Sequence, residues 1–440
     1  MKVLKFGGTS VGSPQQIRNV AALISDKGKN IIVLSAMAGT TNTLVEIADY
    51  ISKGNIPGAQ ETLNNLELKY RQVVDELFAG DEASRAKAWE AVTTATGTIR
   101  YSFTHPFTPA DEKEILAQGE LISVALMHIH LQSIGMKSVV LPALEYMRTQ
   151  SNEEPDMEYI SQRLHRLLEV NSDADLYITH GYICRNHSGE IDNLHRGGSD
   201  YTASIIGAVT DAREVQIWTD IDGMHNNDPR YVEGTSPVGV LHFEEAAELA
   251  YFGAKILHPS CVLPAKLHDI PVRLLNTMDP DAPGTLICNI PPTHTVKAVA
   301  AKDNITAIKI KSGRMLLAYG FLHKVFETFD TYHTSIDMIA TSEVGVTVTI
   351  DNDRYLANIV DDLKHFGTVT VDTDMVIICV VGDLEWHNVG FETLALEALR
   401  DIPVRMISYG GSNYNISMLV RRADKLEALK RLSDTLFPKK

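Results

Sequence analysis

Over the first 290 residues, short apolar runs alternate with longer stretches of helical periodicity. The apolar runs fall at 2–6, 30–34, 138–141, 176–183, 214–218 and 271–275. Their lengths and their content of branched and aromatic residues predict strands. Helical spacing fills 14–24, 43–51, 111–131, 201–209 and 243–251, and residues 61–99 read as a long amphipathic hairpin laid over a sheet. The alternation predicts an α/β fold, an open and mostly parallel sheet with helices packed on it. In such sheets ligands bind at the C-terminal ends of the strands, which directs attention to the loops there.

Near Asn289 the composition changes, and the double proline Pro291-Pro292 marks a linker. Beyond it a βαββα pattern occurs twice: strand 305–310, helix 320–332, strands 335–341 and 344–350, helix 355–366 and strand 368–372, then strand 376–381, helix 391–399, strands 404–408 and 415–420 and helix 425–436. The second copy stops one strand short. An orphan strand at 296–301 precedes the first copy, and it is expected to complete the second copy's sheet, which makes the first copy an insertion within the second. The expected divisions are 1–290, a linker plus that strand at 291–302, then 303–374 and 375–440. Two small modules in series resemble a pair of ACT-type βαββαβ ligand sensors, which commonly bind an amino acid where two modules meet.

The loops carry the candidate chemistry. The first strand runs into Gly7-Gly8-Thr9-Ser10, where bare backbone amides approach a phosphate without a Cβ in the way. Lys5 sits two residues earlier, so the pattern is not the P-loop, in which Lys follows the glycines. A small-residue loop containing Thr41 follows the second strand. Arg196-Gly197-Gly198-Ser199-Asp200 opens an apolar helix, with Ser199 or Asp200 expected as its N-cap, and makes a second anion cradle. Glu120 lies inside an apolar helix, which is costly unless it is paired. Thr219, Asp220 and Arg230 belong to a polar loop suited to a nucleoside's ribose and phosphates, and Lys255 stands among small residues within reach of a phosphate.

Charge and cysteine usage narrow the classes. Lys and Arg number 40 against 56 Asp and Glu, a formal net charge of −16, which argues against nucleic acid or an anionic membrane as partner. The four cysteines lie far apart with no C-x-x-C, which fits reduced thiols rather than a disulfide framework or a metal clasp. No apolar run approaches the ~18–20 residues of a span, and no cationic leader with an apolar core opens the chain, so a cytoplasmic enzyme is expected.

Taken together, Lys5-Phe6-Gly7-Gly8-Thr9-Ser10-Val11, Gly119-Glu120, Arg196-Gly197-Gly198-Ser199-Asp200-Tyr201, Trp218-Thr219-Asp220, Asp228-Pro229-Arg230, Gly253 to Pro259 and Thr341-Ser342-Glu343-Val344 resemble the aspartate kinase family, in family order and over essentially the whole chain. The resemblance implies an amino-acid-kinase fold followed by the two ACT modules. It implies phosphorylation of L-aspartate by MgATP, with Mg²⁺ carried by the nucleotide rather than by a dedicated protein site. Lys5 and Asp200 would be catalytic. Thr41, Glu120, Arg196 and Ser199 would hold the substrate. Lys5, Gly7, Gly8, Ser10, Thr219, Asp220, Arg230 and Lys255 would hold ATP. The C-terminal half resembles the lysine-sensitive subgroup, which implies L-lysine as effector at Met315, Gly320, Phe321, Leu322, Ser335, Asp337, Thr341, Ser342, Glu343 and Val344, and a homodimer or dimer of dimers through the ACT modules. An acidic Asp337 or Glu343 suits a cationic ligand. Five positions depart from the family pattern. His195 stands for a Gly, His180-Gly181-Tyr182 for Gln-Gly-Phe, His225 for a Tyr and Ala318 for a Ser. The rival readings are another phosphotransferase of the same fold and a catalytically idle amino-acid sensor.

Overall fold

The computed structural model describes residues 1–25, 28–195, 197–253, 257–291, 294–313 and 319–438. In chain order its elements are β1 (Lys2–Phe6), α1 (Pro14–Ser25), β2 (Asn30–Leu34), α2 (Thr40–Ser52), α3 (Ile56–Leu77), α4 (Glu82–Tyr101), α5 (Pro109–Ser133), β3 (Ser138–Leu141), α6 (Ala143–Tyr146), α7 (Met157–Val170), β4 (Leu176–His180), β5 (Ile183–Arg185), β6 (Ile191–Asn193), α8 (Gly198–Val209), β7 (Val215–Thr219), β8 (Val240–Leu241), α9 (Phe243–Phe252), α10 (Leu263–Leu267), β9 (Val272–Asn276) and β10 (Thr285–Ile287). Then come β11 (Val296–Lys311), α11 (Phe321–Thr331), β12 (Ile339–Ser342), β13 (Gly345–Ile350), α12 (Leu356–Lys364), β14 (Thr368–Gly382), α13 (Phe391–Ala398), β15 (Met406–Ser408), β16 (Asn415–Arg421) and α14 (Lys425–Leu436).

These elements form two compact units, Met1–Gly223 with Ile256–Asn289, and Met224–Lys255 with Ile290–Lys440. In the first unit the strands lie in the order β3-β4-β2-β1-β7-β9-β10. The neighbours β3 to β9 pair parallel, and β10 alone of these runs antiparallel, on β9. β2 is buried along its whole length, as a central strand covered on both faces must be. A core from Leu4 and Phe6 through Ile32 and Leu34 to Tyr70, Val92 and Met127 joins the sheet to the helices. α5 begins at a Thr108–Asp111 capping box, which satisfies its first amides and fixes where its buried face starts. The strand expected to run to residue 183 ends at His180, because Tyr182 adopts a left-handed φ of 68°.

The second unit contains residues 224–255, which the pattern along the chain groups with the first domain. Packing gives the reason. α9 lies on β11 and β14, Val232 joins the core around Val376 and Leu429, and the Asn227 side-chain amide donates to the Leu429 carbonyl at 3.1 Å. The unit's antiparallel sheet has the order β12-β13-β11-β14-β16-β15. β11 pairs with β14 from Val296↔Gly382 to Lys311↔Thr368, interrupted by register shifts around 302–307. Its N-terminal part therefore lies against the second βαββα copy and its C-terminal part against the first, so the two copies share one continuous sheet. Each copy keeps its own core, around Phe329 and Val348 in the first and around Ile378 and Met418 in the second.

Candidate active site

β1 delivers Lys5 to the mouth of the sheet between β2 and β7, where it stands opposite Val33 and Ile217. Its Nζ lies 2.7 Å from Oδ1 of Asp200, and both side chains are nearly buried. The contact is an ion pair without hydrogen-bond alignment, and Asp200 Oδ1 has no hydrogen-bond partner. Asp200 sits in the first turn of α8, whose N-cap is Gly197 in a left-handed conformation at φ 75°. Ser199 and Asp200 are thus inside the helix rather than capping it, because the two glycines complete the turn before them. Both side chains are released toward the cleft.

Glu120 arrives from the other side on α5. A Cβ at Gly119 would lie 2.8 Å from the Ala36 Cβ, so only glycine lets the helix approach the loop after β2 this closely. That approach lets the Ala36 N–H donate to Glu120 Oε1 at 3.1 Å, while Oε2 is buried without a partner. Burial pushes the Glu120 carboxyl up to about 8. The Ala36 amide and the charge of Lys5 pull it down, but by less. A second close approach holds Ser199: a Cβ at Gly181 would fall 2.5 Å from its Oγ.

Lys5, Thr41, Glu120, Ser199 and Asp200 line one cleft of about 570 Å³. Ser35, Glu112, Lys113, Leu116, Tyr182, Asn193 and His195 line it as well. Sequence reasoning singles out Tyr182 and His195 as departures from the family pattern and misses the others, although a helical signal was present: positions 112, 116 and 120 share a face of α5. Lys113, paired with Asp192 at 3.0 Å, adds a second cation to the cleft wall. Arg196 and Lys255 lie outside the described residues.

The expected nucleotide contacts divide. Gly7 donates its N–H to the Trp218 carbonyl at 3.2 Å, so this amide serves the sheet. Ser10 is fully buried, with its Oγ 2.7 Å from Thr277 Oγ1 and its N–H on the Gly7 carbonyl, which makes it a structural staple rather than a phosphate contact. Gly8 is held against the loop after β2, since a Cβ there would lie 2.7 Å from the Ala36 carbonyl oxygen. Thr219 and Asp220 hydrogen-bond each other at 3.1 Å at the end of β7, off the walls of the cleft. Arg230 belongs to the second unit and grips Asp228 through both carboxylate oxygens.

The effector candidates also divide. Met315 and Ala318 lie outside the described residues. Gly320 caps α11 in a left-handed conformation, and Phe321 is buried in the first module's core on the apolar face of that helix, so it packs rather than waits for a ligand. Leu322 is exposed. Ser335 stands in irregular backbone, Thr341 and Ser342 end β12 at the sheet's edge, and Glu343 and Val344 form the turn into β13. Asp337, expected to receive a cationic ligand, already holds the Lys302 ammonium at 2.6 Å.

The histidines that depart from the family pattern have distinct surroundings. His195 adopts φ 56°, the left-handed region where the family's glycine is unstrained. His225 Nδ1 lies 3.0 Å from Thr235 Oγ1. His180 is buried, with Nδ1 accepting from the Ala143 N–H at 3.4 Å, and burial lowers it to about 4. Below the ordinary value near 6.5 the unfolded chain takes a proton that the folded chain refuses. Stability should therefore fall as pH drops from about 6.5 to 4, by up to about 3 kcal/mol from this residue. His180→Gln should flatten that part of the pH profile in chemical denaturation; an unchanged slope would count against a buried neutral imidazole.

Comparison with known proteins decides the family. The amino acid kinase family model matches residues 1–276, and an ACT domain model matches residues 378–436. Lysine-sensitive aspartokinase 3 of Escherichia coli K12 is 32% identical over 456 residues, covering 99% of each chain. This chain belongs to the aspartokinase family. The crystal structure of E. coli aspartokinase III in complex with aspartate and ADP (R-state) matches at a TM-score of 0.84, with 31% identity over 99% of this chain and 100% of that one. Its complex with lysine and aspartate (T-state) matches at 0.83, with 32% identity over 99% of both. The aspartokinase architecture, an amino-acid-kinase domain followed by an ACT region, accounts for the two sheets. Among the described residues no helix is long and apolar enough to cross a membrane, and no group of three or more His, Cys, Asp or Glu is placed to hold a metal ion.

Proposed function

We propose that the chain transfers the γ-phosphoryl group of ATP to the side-chain carboxylate of L-aspartate, giving ADP and 4-phospho-L-aspartate, the first step toward lysine, threonine, methionine and diaminopimelate. The observation that carries this reading is the convergence of Lys5, Asp200 and Glu120 on one cleft within the aspartokinase fold. A carboxylate is already a nucleophile at neutral pH and needs no general base. The obstacle is the approach of two anions, and catalysis consists of cancelling charge and aligning the groups. A substrate β-carboxylate oxygen bonds to Pγ while the Pγ–O bond to ADP breaks. Lys5 neutralises the transferring oxygens. Asp200 orients the Lys5 ammonium. Glu120, with Oε2 unpartnered, receives the substrate α-ammonium, and Arg196 takes the α-carboxylate through its two-pronged guanidinium. Thr41 and Ser199 complete the substrate wall.

Use of ATP implies a divalent metal, which we assign as Mg²⁺ entering with the nucleotide. The Asp200 carboxylate on the cleft wall is a hard donor that fits such an ion, which would spread the charge of the phosphates. L-Lysine is the assigned feedback effector, at the first ACT module. Pairing of chains through the ACT sheets and a cytoplasmic location complete the reading.

The test is aspartyl-hydroxamate formation from L-aspartate and MgATP, with lysine and threonine titrated separately. Product from aspartate but not from glutamate or carbamate, inhibited by lysine, is the expected result. Product only from another acceptor favours a different phosphotransferase of the fold, and no product from any acceptor favours an idle sensor. Gly181→Ala tests the cleft wall: a methyl 2.5 Å from Ser199 must push the start of α8 aside. Turnover should fall by about 100-fold, as misplacement near 1 Å produces, with the fold retained by circular dichroism.

A further inference from the structure

Lys113 takes no part in the chemistry proposed for the cleft, yet it lines that cleft from α5, the helix that also brings Leu116 and Glu120 to it. Positions 113, 116 and 120 fall on one helix face, with two turns, about 10.5 Å of axis, between the first and the last. The wall thus runs from an ammonium through an apolar side chain to a carboxylate, all within the first unit. Tyr182 lines the same cleft. Burial first, then the carboxylates of Glu120, Asp192 and Glu112, push its hydroxyl up to about 12, so the phenol stands within electrostatic reach of both ends of that wall.

Lys113 is held loosely. Its Nζ lies 3.0 Å from Asp192 Oδ1, and the two side chains are 30% and 26% exposed. That oxygen already accepts the Asn193 N–H at 2.8 Å. Pairs this open to water contribute little to stability. An ammonium has three protons to donate, so a second carboxylate can join it while Asp192 stays. Among the described residues of the cleft wall the cations are Lys5 and Lys113, and Lys5 is matched by Asp200 at 2.7 Å. Aspartate brings two carboxylates. The reacting one belongs at Lys5, and the other shares a carbon with the ammonium that Glu120 receives. Ammonium and carboxylate on one carbon, each with one hydrogen bond, bridge roughly 8 Å, which suits an acid and a cation two helical turns apart.

We propose that Lys113 is a substrate-binding residue, a second cation that joins Arg196 on the α-carboxylate of aspartate and favours acceptors that carry that group. This rests on the reading of the chain as an aspartate kinase.

The test is steady-state ADP release by the full-length enzyme with L-aspartate and with its α-amide, which keeps the ammonium and the reacting carboxylate but not the second charge. Lys113→Met should raise KM for aspartate about tenfold, as loss of a hydrogen bond to a charged group does, with kcat within about threefold and KM for MgATP unchanged. For the α-amide, kcat/KM, or the inhibition constant if it is not turned over, should change less than about twofold. Lys113→Arg should restore most of the affinity for aspartate. Asp192→Asn breaks the same ion pair but leaves the ammonium in the cleft, so KM for aspartate should stay level or fall. A parental KM in Lys113→Met overturns the proposal. So does an equal loss with the α-amide, or a rise in Asp192→Asn that matches Lys113→Met, since either reduces Lys113 to a prop for the β5–β6 hairpin. A rise in KM for MgATP instead assigns the cation to the phosphates and overturns it as well. A parent enzyme that releases no ADP with aspartate sinks the aspartate kinase reading itself, whereas an active parent with an unaltered Lys113→Met removes only Lys113.

Discussion

Lys5→Met is expected to fold and to lose phosphoryl transfer by about two to three orders of magnitude, the loss of about 2.7–4 kcal/mol that follows removal of one charge-stabilising donor. The defect should appear in kcat, since the contact strengthens as charge moves onto the transferring oxygens. The same substitution strands the nearly buried carboxylate of Asp200, which Lys5 neutralises at 2.7 Å. Breaking a buried pair is costly, so the melting temperature should drop as well. Lys5→Met with Asp200→Asn should recover that stability without recovering activity. Near-parental turnover in Lys5→Met, measured as aspartyl hydroxamate, would remove Lys5 from the chemistry.

Glu120→Gln is expected to move stability and activity in opposite directions. The folded carboxyl titrates near 8, against about 4.5 ordinarily, because burial disfavours its charge. A raised carboxyl pKa means that the folded enzyme without substrate holds a proton the unfolded chain gives up. Its stability should therefore decline between about pH 4.5 and 8, by a few kcal/mol at most, about 1.4 for each unit of displacement. Glutamine carries no such proton. The variant should melt above the parent by a margin that grows across this range and levels off above it. Its KM for aspartate should rise by about 10- to 150-fold, matching about 1.5–3 kcal/mol for a lost hydrogen bond to a charged group. Substrate ammonium also stabilises the Glu120 carboxylate, so aspartate binding at pH 7 should release protons. Calorimetry in buffers of different ionisation enthalpy would show this for the parent and not for the variant. Equal proton release from both would place the ammonium elsewhere.

What could be read from the sequence follows from how local each signal is. The Lys5 strand, the Gly-Gly turns, the apolar helix around Glu120 and the α14 helix are set by spacing and turn chemistry within a few residues, and they appear where the pattern puts them. The continuity of β11 and β14 was not legible. Asn304 and Asp374 resemble turn residues, and the structure uses their left-handed φ values of 61° and 60° within long paired strands, beside shifts in register. The cap of α8 differs from the expected Ser199 or Asp200 because Gly197 in a left-handed conformation caps the helix and Gly198 opens it. Ser10 is expected at the nucleotide, and the structure buries it. Its partner Thr277 lies 267 positions away, a distance no local pattern spans. The same holds for Lys302 on Asp337 and for residues 224–255 joining the second unit. Chain order places those residues with the catalytic sequence, and only long-range packing shows where they are held.

The most direct measurement is a crystal structure with L-aspartate, Mg²⁺ and a non-hydrolysable ATP analogue bound together. Lys5 Nζ is expected within about 3 Å of a γ-phosphoryl oxygen, and Glu120 within about 3 Å of the aspartate ammonium. A ternary complex in which Lys5 touches only Asp200 while the nucleotide's terminal phosphate sits elsewhere would contradict a charge-cancelling role for this cleft.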